Sequence, residues 1–122
     1  MNIQDPKTWT PIFVNGSRIP KMLSWLAPIK ISAITIFPFV FSREIPSQRT
    51  IRHETIHFQQ FLETGVIGFY LIYFWDYAKA RLSGLSGKDA YRKIRAEVEA
   101  YENDEKEGYL LNRKRWKWLQ TN

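Results

Sequence analysis

Residues 53–57 read His53-Glu54-Thr55-Ile56-His57, the only H-E-x-x-H in the 122-residue chain, and they include both of its histidines. On an α-helix, side chains four residues apart project from the same face, so His53 and His57 can bind one metal ion together. Glu54 lies about 100° around the helix from His53, where its carboxylate can contact a water molecule bound to that metal. The five residues therefore predict a helix that carries a metal site.

The residues around the motif predict where this helix begins and ends. Pro46-Ser47 leads into it, the helix is expected over residues 48–64, and Gly65 ends it. Its apolar side is formed by Ile51, Phe58 and Leu62, and its polar side by Arg49, His53, His57 and Gln60. A lone histidine on an apolar stripe is usually a core residue. Both histidines lie off that stripe, which favours a metal site over core packing.

Two regions before the motif are predicted to form a small antiparallel sheet. Residues 12–14 and 17–19 flank Asn15-Gly16, a dipeptide that favours the tight turn of a hairpin. Residues 31–37 and 39–41 are rich in β-branched and aromatic side chains, as strands are. Pro38 interrupts this second region and predicts an edge position or a bulge. An edge strand just before the motif helix could align an extended peptide by backbone pairing.

Three further helices are predicted after the motif. The first, over residues 66–82, is apolar almost all round in its first half, which is typical of a helix buried between other elements. The second is expected over residues 88–105, beginning near Ser86, and the third over residues 109–119. The sequence therefore predicts an α+β fold in a single domain, residues 1–122, with a small N-terminal antiparallel sheet followed by about four helices.

The third ligand of the metal has to be a carboxylate. A catalytic zinc site usually has three protein ligands and a water, and the chain has no cysteine and no further histidine. Glu97 lies beside an inward helical stripe, where an ionised carboxylate needs a partner. The stripe is formed by Tyr91, Ile94, Val98 and Tyr101. Glu99 lies among charged residues and is expected at the surface, so Glu97 is the favoured ligand. The alternative for Glu97 is an ion pair with a nearby Arg or Lys.

A His53, His57 and Glu97 set predicts the chemistry of a hydrolase. Zn²⁺ held by such ligands polarises a carbonyl and lowers the pKa of its bound water to ~7. Glu54 would accept the proton of that water and pass it to the leaving group. The candidates for stabilising the oxyanion, or for supporting the ligands, are Tyr91, Tyr101 and Arg49.

Two stretches together, His53-Glu54-Thr55-Ile56-His57 and Glu97-Val98-Glu99-Ala100-Tyr101, resemble the metal-binding motifs of the gluzincin branch of zinc metallopeptidases. The second stretch is similar to the Glu-x-x-Ala-(Asp/Asn) pattern of the third-ligand helix in several such families, with Tyr101 where Asp or Asn is common. The layout is also similar to minimal gluzincins and to short uncharacterised bacterial and phage proteins with H-E-x-x-H-F-Q-Q-like helices. The resemblance implies a zincin-like domain with Zn²⁺ and a peptide or protein substrate.

Composition limits the class of partner. Apolar residues make up 44% and aromatic residues 16% of the chain, as in globular proteins. The absence of cysteine excludes disulfides and thiolate ligands. Part of the net charge of +6 lies in residues 113–118, where basic residues alternate with Trp. Such a run can bind nucleic acid or an anionic membrane. We favour the interpretation that this run is a terminal helix whose tryptophans pack on the core. Nucleic acid is therefore not expected as a partner.

Apolar stretches and the N-terminus bear on location. No signal peptide is recognised, so a cytoplasmic protein is expected. Residues 22–41 are interrupted by Pro28, Lys30 and Pro38, and residues 66–75 fall short of the ~20 that a spanning helix needs. A transmembrane span is therefore not expected, and contact with a membrane surface is the weaker alternative.

Two functions of different classes remain open. The first is a small zinc metallopeptidase with Glu54 as general base. The second is a zinc-bound binding or regulatory domain without hydrolytic activity, because a chain of 122 residues leaves little material for a substrate cleft.

Overall fold

A computed structural model of the protein describes residues 9–16, 18–20, 33–42 and 44–120. It is a small α+β structure, in which a three-stranded sheet precedes the helices. The strands are β1 (Ile12–Val14), β2 (Ala33–Ile36) and β3 (Phe39–Ser42). The helices are α1 (Gln48–Leu82), α2 (Gly87–Lys93), α3 (Arg95–Asn103) and α4 (Tyr109–Asn112), and a 3-10 helix follows at Lys117–Gln120.

The sheet is mixed rather than antiparallel, with the strand order β1-β3-β2. β2 and β3 pair antiparallel, and Pro38 lies in the turn between them rather than at a bulge. β1 runs parallel to β3, with Ile12 opposite Phe39. The predicted hairpin of residues 12–14 with 17–19 is therefore wrong. The Asn15-Gly16 turn is present, with Gly16 at φ 70°, but β1 takes its partner from β3. Of the predicted strand residues, 17, 31 and 32 lie outside the described ranges.

α1 begins and breaks where the sequence predicts. The Ser47 hydroxyl accepts a hydrogen bond from the Thr50 backbone N–H at 3.1 Å, which caps the first turn. Gly65 has φ 74° and ψ 163°, a conformation outside the helical region, and it divides α1 into residues 48–64 and 66–82. Both predicted helices are thus confirmed, and they meet at this one glycine.

The two segments of α1 differ in how they are buried. Every residue from 53 to 61 is buried, including the face that carries the histidines. The predicted polar side is therefore part of the interior, where its groups bond to one another. In residues 66–82, by contrast, Phe69, Asp76 and Ala80 are the buried positions. The prediction that this apolar segment is buried between other elements is wrong, because neighbouring helices cover one side of it only.

The predicted helix over residues 88–105 is divided at Ile94. This residue has an extended backbone (ψ 124°) and ends α2, which Ser86 caps at its start. The break leaves the backbone N–H of Arg95 free to donate to Asp76 Oδ2 at 3.1 Å, and the Arg95 guanidinium holds both oxygens of the same carboxylate. A buried acid of α1 therefore fixes the start of α3.

The C-terminal part is less helical than predicted. Residues 109–119 form the four-residue α4 and part of the 3-10 helix, and Trp116 between them has a positive φ of 61°. Trp118 is fully buried and joins the core as predicted, whereas Trp116 is 47% exposed. The central cluster of the core is formed by Phe61, Phe69, Ile94, Ala96 and Trp118. Within the described ranges, no helix has the length and hydropathy to cross a bilayer.

Replacing Gly65 by Ala should destabilise the protein by about 1–3 kcal/mol. Its φ of 74° with ψ of 163° lies in a region that only glycine adopts readily. A Cβ at this position would meet no atom within 4 Å, so backbone strain alone sets the cost. Urea unfolding of the purified variant measures it.

Gly68 provides the matched control three residues further along the same helix. It is helical, and a Cβ there would make an ordinary contact of 3.4 Å with Thr64. Gly68→Ala should therefore stabilise the protein by about 0.5–1 kcal/mol. Equal effects at the two positions would contradict the assignment of strain to Gly65.

Candidate metal centre

Three buried side chains from two helices meet at one point. His53 and His57 come from α1 and Glu97 from α3, and their ligand atoms all lie within 4.8 Å of one another. The Oε1 atom of Glu97 is 3.3 Å from Nε2 of His53 and 3.1 Å from Nε2 of His57. The structure thus brings together the three residues that the sequence singles out, as a group that could hold a metal ion.

The second nitrogen of His53 is held by a carboxylate. Its Nδ1 lies 3.0 Å from Oδ2 of Asp104, and an ionised carboxylate can only accept, so this nitrogen carries a proton. Arg49 donates to the other carboxylate oxygen of Asp104, Oδ1, at 3.1 Å, and Arg52 donates to the backbone carbonyl of Asp104 at 2.6 Å. These bonds fix the ring and direct Nε2 at Glu97. Arg49, which the sequence offers as an oxyanion or supporting residue, is bonded on the Nδ1 side of His53, away from the ligand atoms.

The second nitrogen of His57 is held by an amide. Nδ1 lies 2.9 Å from Oε1 of Gln60. The Gln60 amide nitrogen donates to Glu99 Oε1 at 2.9 Å and to the Ala96 carbonyl at 3.1 Å. Its oxygen is therefore the atom that faces the ring, and the His57 Nδ1 is the donor. As with His53, Nε2 is left to face Glu97.

The meeting point therefore needs a positive charge. Two imidazole Nε2 atoms and a carboxylate oxygen are all acceptors when the rings are neutral. In the metal-free protein a proton meets this need: burial lowers the pKa of His57, but the charge and hydrogen bond of Glu97 outweigh it and raise the pKa to about 9. The pKa of Glu97 is correspondingly lowered, because the nearby histidines outweigh its burial. The donor set fits a divalent cation in place of that proton.

Glu54 lies beside this set and is fixed by the sheet. It is buried, and Thr35 of β2 donates its hydroxyl to Glu54 Oε2 at 2.7 Å. Its negative charge contributes to raising the pKa of His57. The sequence does not predict the Thr35 contact, because it joins residues 19 positions apart through the fold.

A tyrosine that the sequence does not single out binds the third ligand. The Tyr73 hydroxyl donates to Glu97 Oε2 at 2.5 Å. Its pKa is raised well above the ordinary value by burial and by the charge of Glu97, so it remains a donor. The one signal in the sequence is its spacing of four from Phe69, which places both on one helical face. That spacing does not distinguish a core tyrosine from one that binds a carboxylate.

Tyr91 and Tyr101 form a pair next to the histidines. Their hydroxyl oxygens are 3.1 Å apart, and the Tyr101 ring stands edge-on to His53 with the centroids 4.6 Å apart. Burial and the charge of Glu97 raise the pKa of both, so their hydroxyls stay protonated. Both of these predicted supporting residues therefore lie at the cluster.

Glu99 is not the surface residue that its helical neighbours suggest. It is buried, and it binds Arg113 through two bonds of 2.7 and 3.0 Å and the Tyr109 hydroxyl at 2.5 Å. The segment after α3 folds back over this face of the helix, which the sequence of α3 alone cannot indicate. Glu99 is also joined to the cluster, since Gln60 bonds to both Glu99 and His57.

Arg113 neutralises two buried acids at once. Its guanidinium binds Glu63 as well as Glu99, and the side chains of Arg113 and Glu63 are 3% and 0% exposed. The Trp118 indole N–H adds a bond to Glu63 at 2.9 Å. The C-terminal segment is thereby fastened to the end of the helix that carries the histidines.

Arg113→Leu should destabilise the protein by about 3–5 kcal/mol, because Glu99 would be left buried without a cation and Glu63 would keep only Arg115, whose Nε lies 3.9 Å from its Oε2. Chemical unfolding followed by circular dichroism measures the loss. Lys114→Leu, at an exposed neighbouring position, should change the free energy of unfolding by no more than about 0.5 kcal/mol. Comparable losses in the two variants would show that the buried charges are not the cause.

The metal-free protein should lose stability as the pH rises above neutrality. The pKa of His57 is about 9 when folded, against an ordinary 6.5. Its contribution is therefore complete below pH 6.5 and is lost as the pH rises through 9. The free energy of unfolding should fall by up to about 3 kcal/mol, at ~1.4 kcal/mol per pKa unit. Urea unfolding in the presence of a chelator measures the fall. A His57→Gln variant, which does not titrate, should lack it, and the same fall in that variant would refute the assignment.

Comparison with known proteins found no relative of this chain. The chain matches no protein-family model, no curated protein and no solved structure. The chemistry of the cluster therefore has to be argued from its own contacts.

Proposed function

We propose that the protein is a zinc-dependent peptide-bond hydrolase with a His53, His57 and Glu97 metal site. The observation that carries the proposal is the meeting of both Nε2 atoms at Glu97 Oε1, within 3.3 and 3.1 Å. Each ring is held through its other nitrogen, and Glu54 lies beside the group. Ligands, ring orientation and a candidate base thus occur in one place.

The donor set is suited to zinc. Two imidazole nitrogens and one carboxylate, with no sulfur, form the three-ligand pattern of catalytic zinc sites. When bound, the ion supplies a Lewis acid and a water of pKa ~7. Asp104 and Gln60 keep the two rings in the tautomer that exposes Nε2, and Tyr73 holds the second oxygen of Glu97. The polar contacts around the site thus favour the ligating form of each residue.

In this mechanism Glu54 is the general base and then the general acid. Thr35 donates to its Oε2 at 2.7 Å, which leaves Oε1 as the oxygen that can accept a proton from a water molecule. The same carboxyl group then delivers the proton to the nitrogen of the leaving amine. Tyr91 and Tyr101 are the candidates for donating to the developing oxyanion, because both remain protonated beside the ligands.

One observation favours the second function, a zinc-bound binding or regulatory domain without hydrolysis. The four side chains of the site belong to residues between 4% and 9% exposed: His53, Glu54, His57 and Glu97. A peptide bond needs an open position on the metal. A site this closed suits an ion that stabilises the fold, so binding and turnover have to be measured separately.

Glu54→Gln should lower the rate of peptide cleavage by about 100-fold to 10,000-fold, because the amide cannot accept the proton. Zinc should still bind, since Glu54 is not one of the three ligands. The measurement pairs cleavage of a fluorogenic peptide library with zinc content by mass spectrometry. Cleavage that persists in this variant would refute the role of Glu54.

Two further variants separate the metal from the base. Glu97→Gln should reduce zinc content, whereas Glu102→Gln, on the exposed side of α3, should change neither zinc content nor cleavage. A wild-type protein that binds one zinc through these residues and cleaves no peptide in the library would identify the non-hydrolytic function instead.

A further inference from the structure

The second segment of α1 presents large apolar side chains to solvent. Five of them are more than half exposed, between 60% and 86%: Ile67, Leu71, Phe74, Trp75 and Leu82. At 100° per residue, these five positions fall within a sector of about 100° on one side of the helix. We call this set the apolar ridge.

The fold does not account for the apolar ridge. Phe69, Asp76 and Ala80, the buried positions of the same segment, face the other helices, so the described part of the core forms without the ridge. Single exposed apolar residues are common on soluble proteins, but a continuous row of large ones marks an interaction surface. The row includes Phe and Trp, which are favoured at the boundary between water and lipid.

Basic groups stand at both ends of the apolar ridge. Lys79 and Arg81 are exposed in the last turn of α1. At the other end, the half-exposed Trp116 donates its indole N–H to the Glu63 carbonyl at 3.0 Å, one turn before Ile67. The Arg115 guanidinium lies over the Trp116 ring, 4.9 Å from its centroid. The Arg115 side chain is 29% exposed, and its Nε lies 3.9 Å from Oε2 of Glu63, whose side chain is 0% exposed. Cations thus flank the ridge along its axis.

The acidic groups near the ridge are already paired. Asp76 is the one acid in residues 66–82, and it is buried and bound by Arg95. The side chain of Glu63 is 0% exposed, and it is paired with Arg113 and Arg115. Among the described residues of this segment, the exposed charges are therefore positive.

We propose that the apolar ridge docks on the surface of a membrane that contains anionic lipids. The helix would lie in the plane of the interface, with Phe74 and Trp75 inserted below the headgroups and with the exposed Lys79 and Arg81 at the level of the lipid phosphates. The row of apolar side chains accounts for the insertion, and the flanking cations account for the preference for negative charge.

The same charges argue against a second copy of the chain as the occupant. If two ridges packed antiparallel, Lys79 and Arg81 of one copy would approach Arg115 of the other. If they packed parallel, Lys79 and Arg81 would approach their own counterparts. Either arrangement brings like charges together, which opposes association. An anionic surface instead complements both ends of the ridge at once.

Sedimentation of the full chain with lipid vesicles tests the proposal. The protein should bind vesicles of phosphatidylcholine mixed with phosphatidylserine, and should bind phosphatidylcholine alone much more weakly. Raising the salt from about 0.1 M to about 1 M shortens the Debye length from ~10 to ~3 Å, and should release much of the bound protein. Failure to bind the mixed vesicles at the lower salt would overturn the proposal.

Paired variants separate the apolar contact from the charge. Phe74→Ser with Trp75→Ser should weaken binding at least about tenfold, and Lys79→Glu with Arg81→Glu should remove the preference for phosphatidylserine. The control for the first pair is Ile45→Ser, at a residue that is 86% exposed and precedes α1. The control for the second pair is Lys106→Glu, beyond the far end of α3. Neither control should change binding.

Two results would assign the ridge to another partner. Light scattering that shows a dimer, which the Phe74→Ser and Trp75→Ser pair dissociates, would overturn the proposal in favour of self-association. Vesicle binding that the serine pair leaves unchanged would show that the charges act without the ridge, and would overturn it also. Because all these residues are exposed, unchanged circular dichroism is expected for every variant.

Discussion

A carboxylate in the interior needs a positive partner, and this requirement organises the structure around Glu97. Its two oxygens receive His53, His57 and Tyr73, so one side chain of α3 is bonded to both segments of α1. The cluster is therefore a packing element as well as a chemical one. In the metal-free protein, the hydrogen bonds among these side chains already join the two helices to each other.

The other buried acids follow the same rule with fixed cations. Asp76 is bound by Arg95, Asp104 by Arg49, and Glu63 with Glu99 by Arg113. Arginine suits these positions, because its planar guanidinium group can bind two carboxylate oxygens at once and remains charged. At Glu97 histidines take the place of arginine. Unlike arginine, histidine can lose its proton near neutral pH and bind a metal ion instead. The histidines with this property lie beside Glu54, the candidate base.

Local patterns in the sequence predict the motif helix and its break at Gly65, because both depend on helical periodicity or on a glycine that accepts a positive φ. Glu97 is predicted on another ground: with no cysteine and no further histidine in the chain, the third ligand has to be a carboxylate, and Glu97 lies beside an inward helical stripe. Contacts between distant segments are not encoded in that way. Asn15-Gly16 indicates a turn, but the parallel pairing of β1 with β3 depends on a strand more than 20 residues later. Glu99 has the neighbours of a surface residue, yet residues 109–118 cover it. Thr35 reaches the site from β2 and Tyr73 from the second segment of α1, beyond Gly65, so no spacing within the motif predicts them.

Tyr73 and Phe74 are adjacent in the chain and face opposite environments. The hydroxyl of Tyr73 binds Glu97, and the ring of Phe74 is 60% exposed to solvent. Both are carried by one helical backbone, so a rotation of the segment that buried Phe74 further would also displace the Tyr73 hydroxyl. Any rotation of the helix that moves Phe74 on its outer face therefore also moves Tyr73 on its inner face. The hydrogen bond to Glu97 makes the electrostatics of the cluster depend on the orientation of a surface helix.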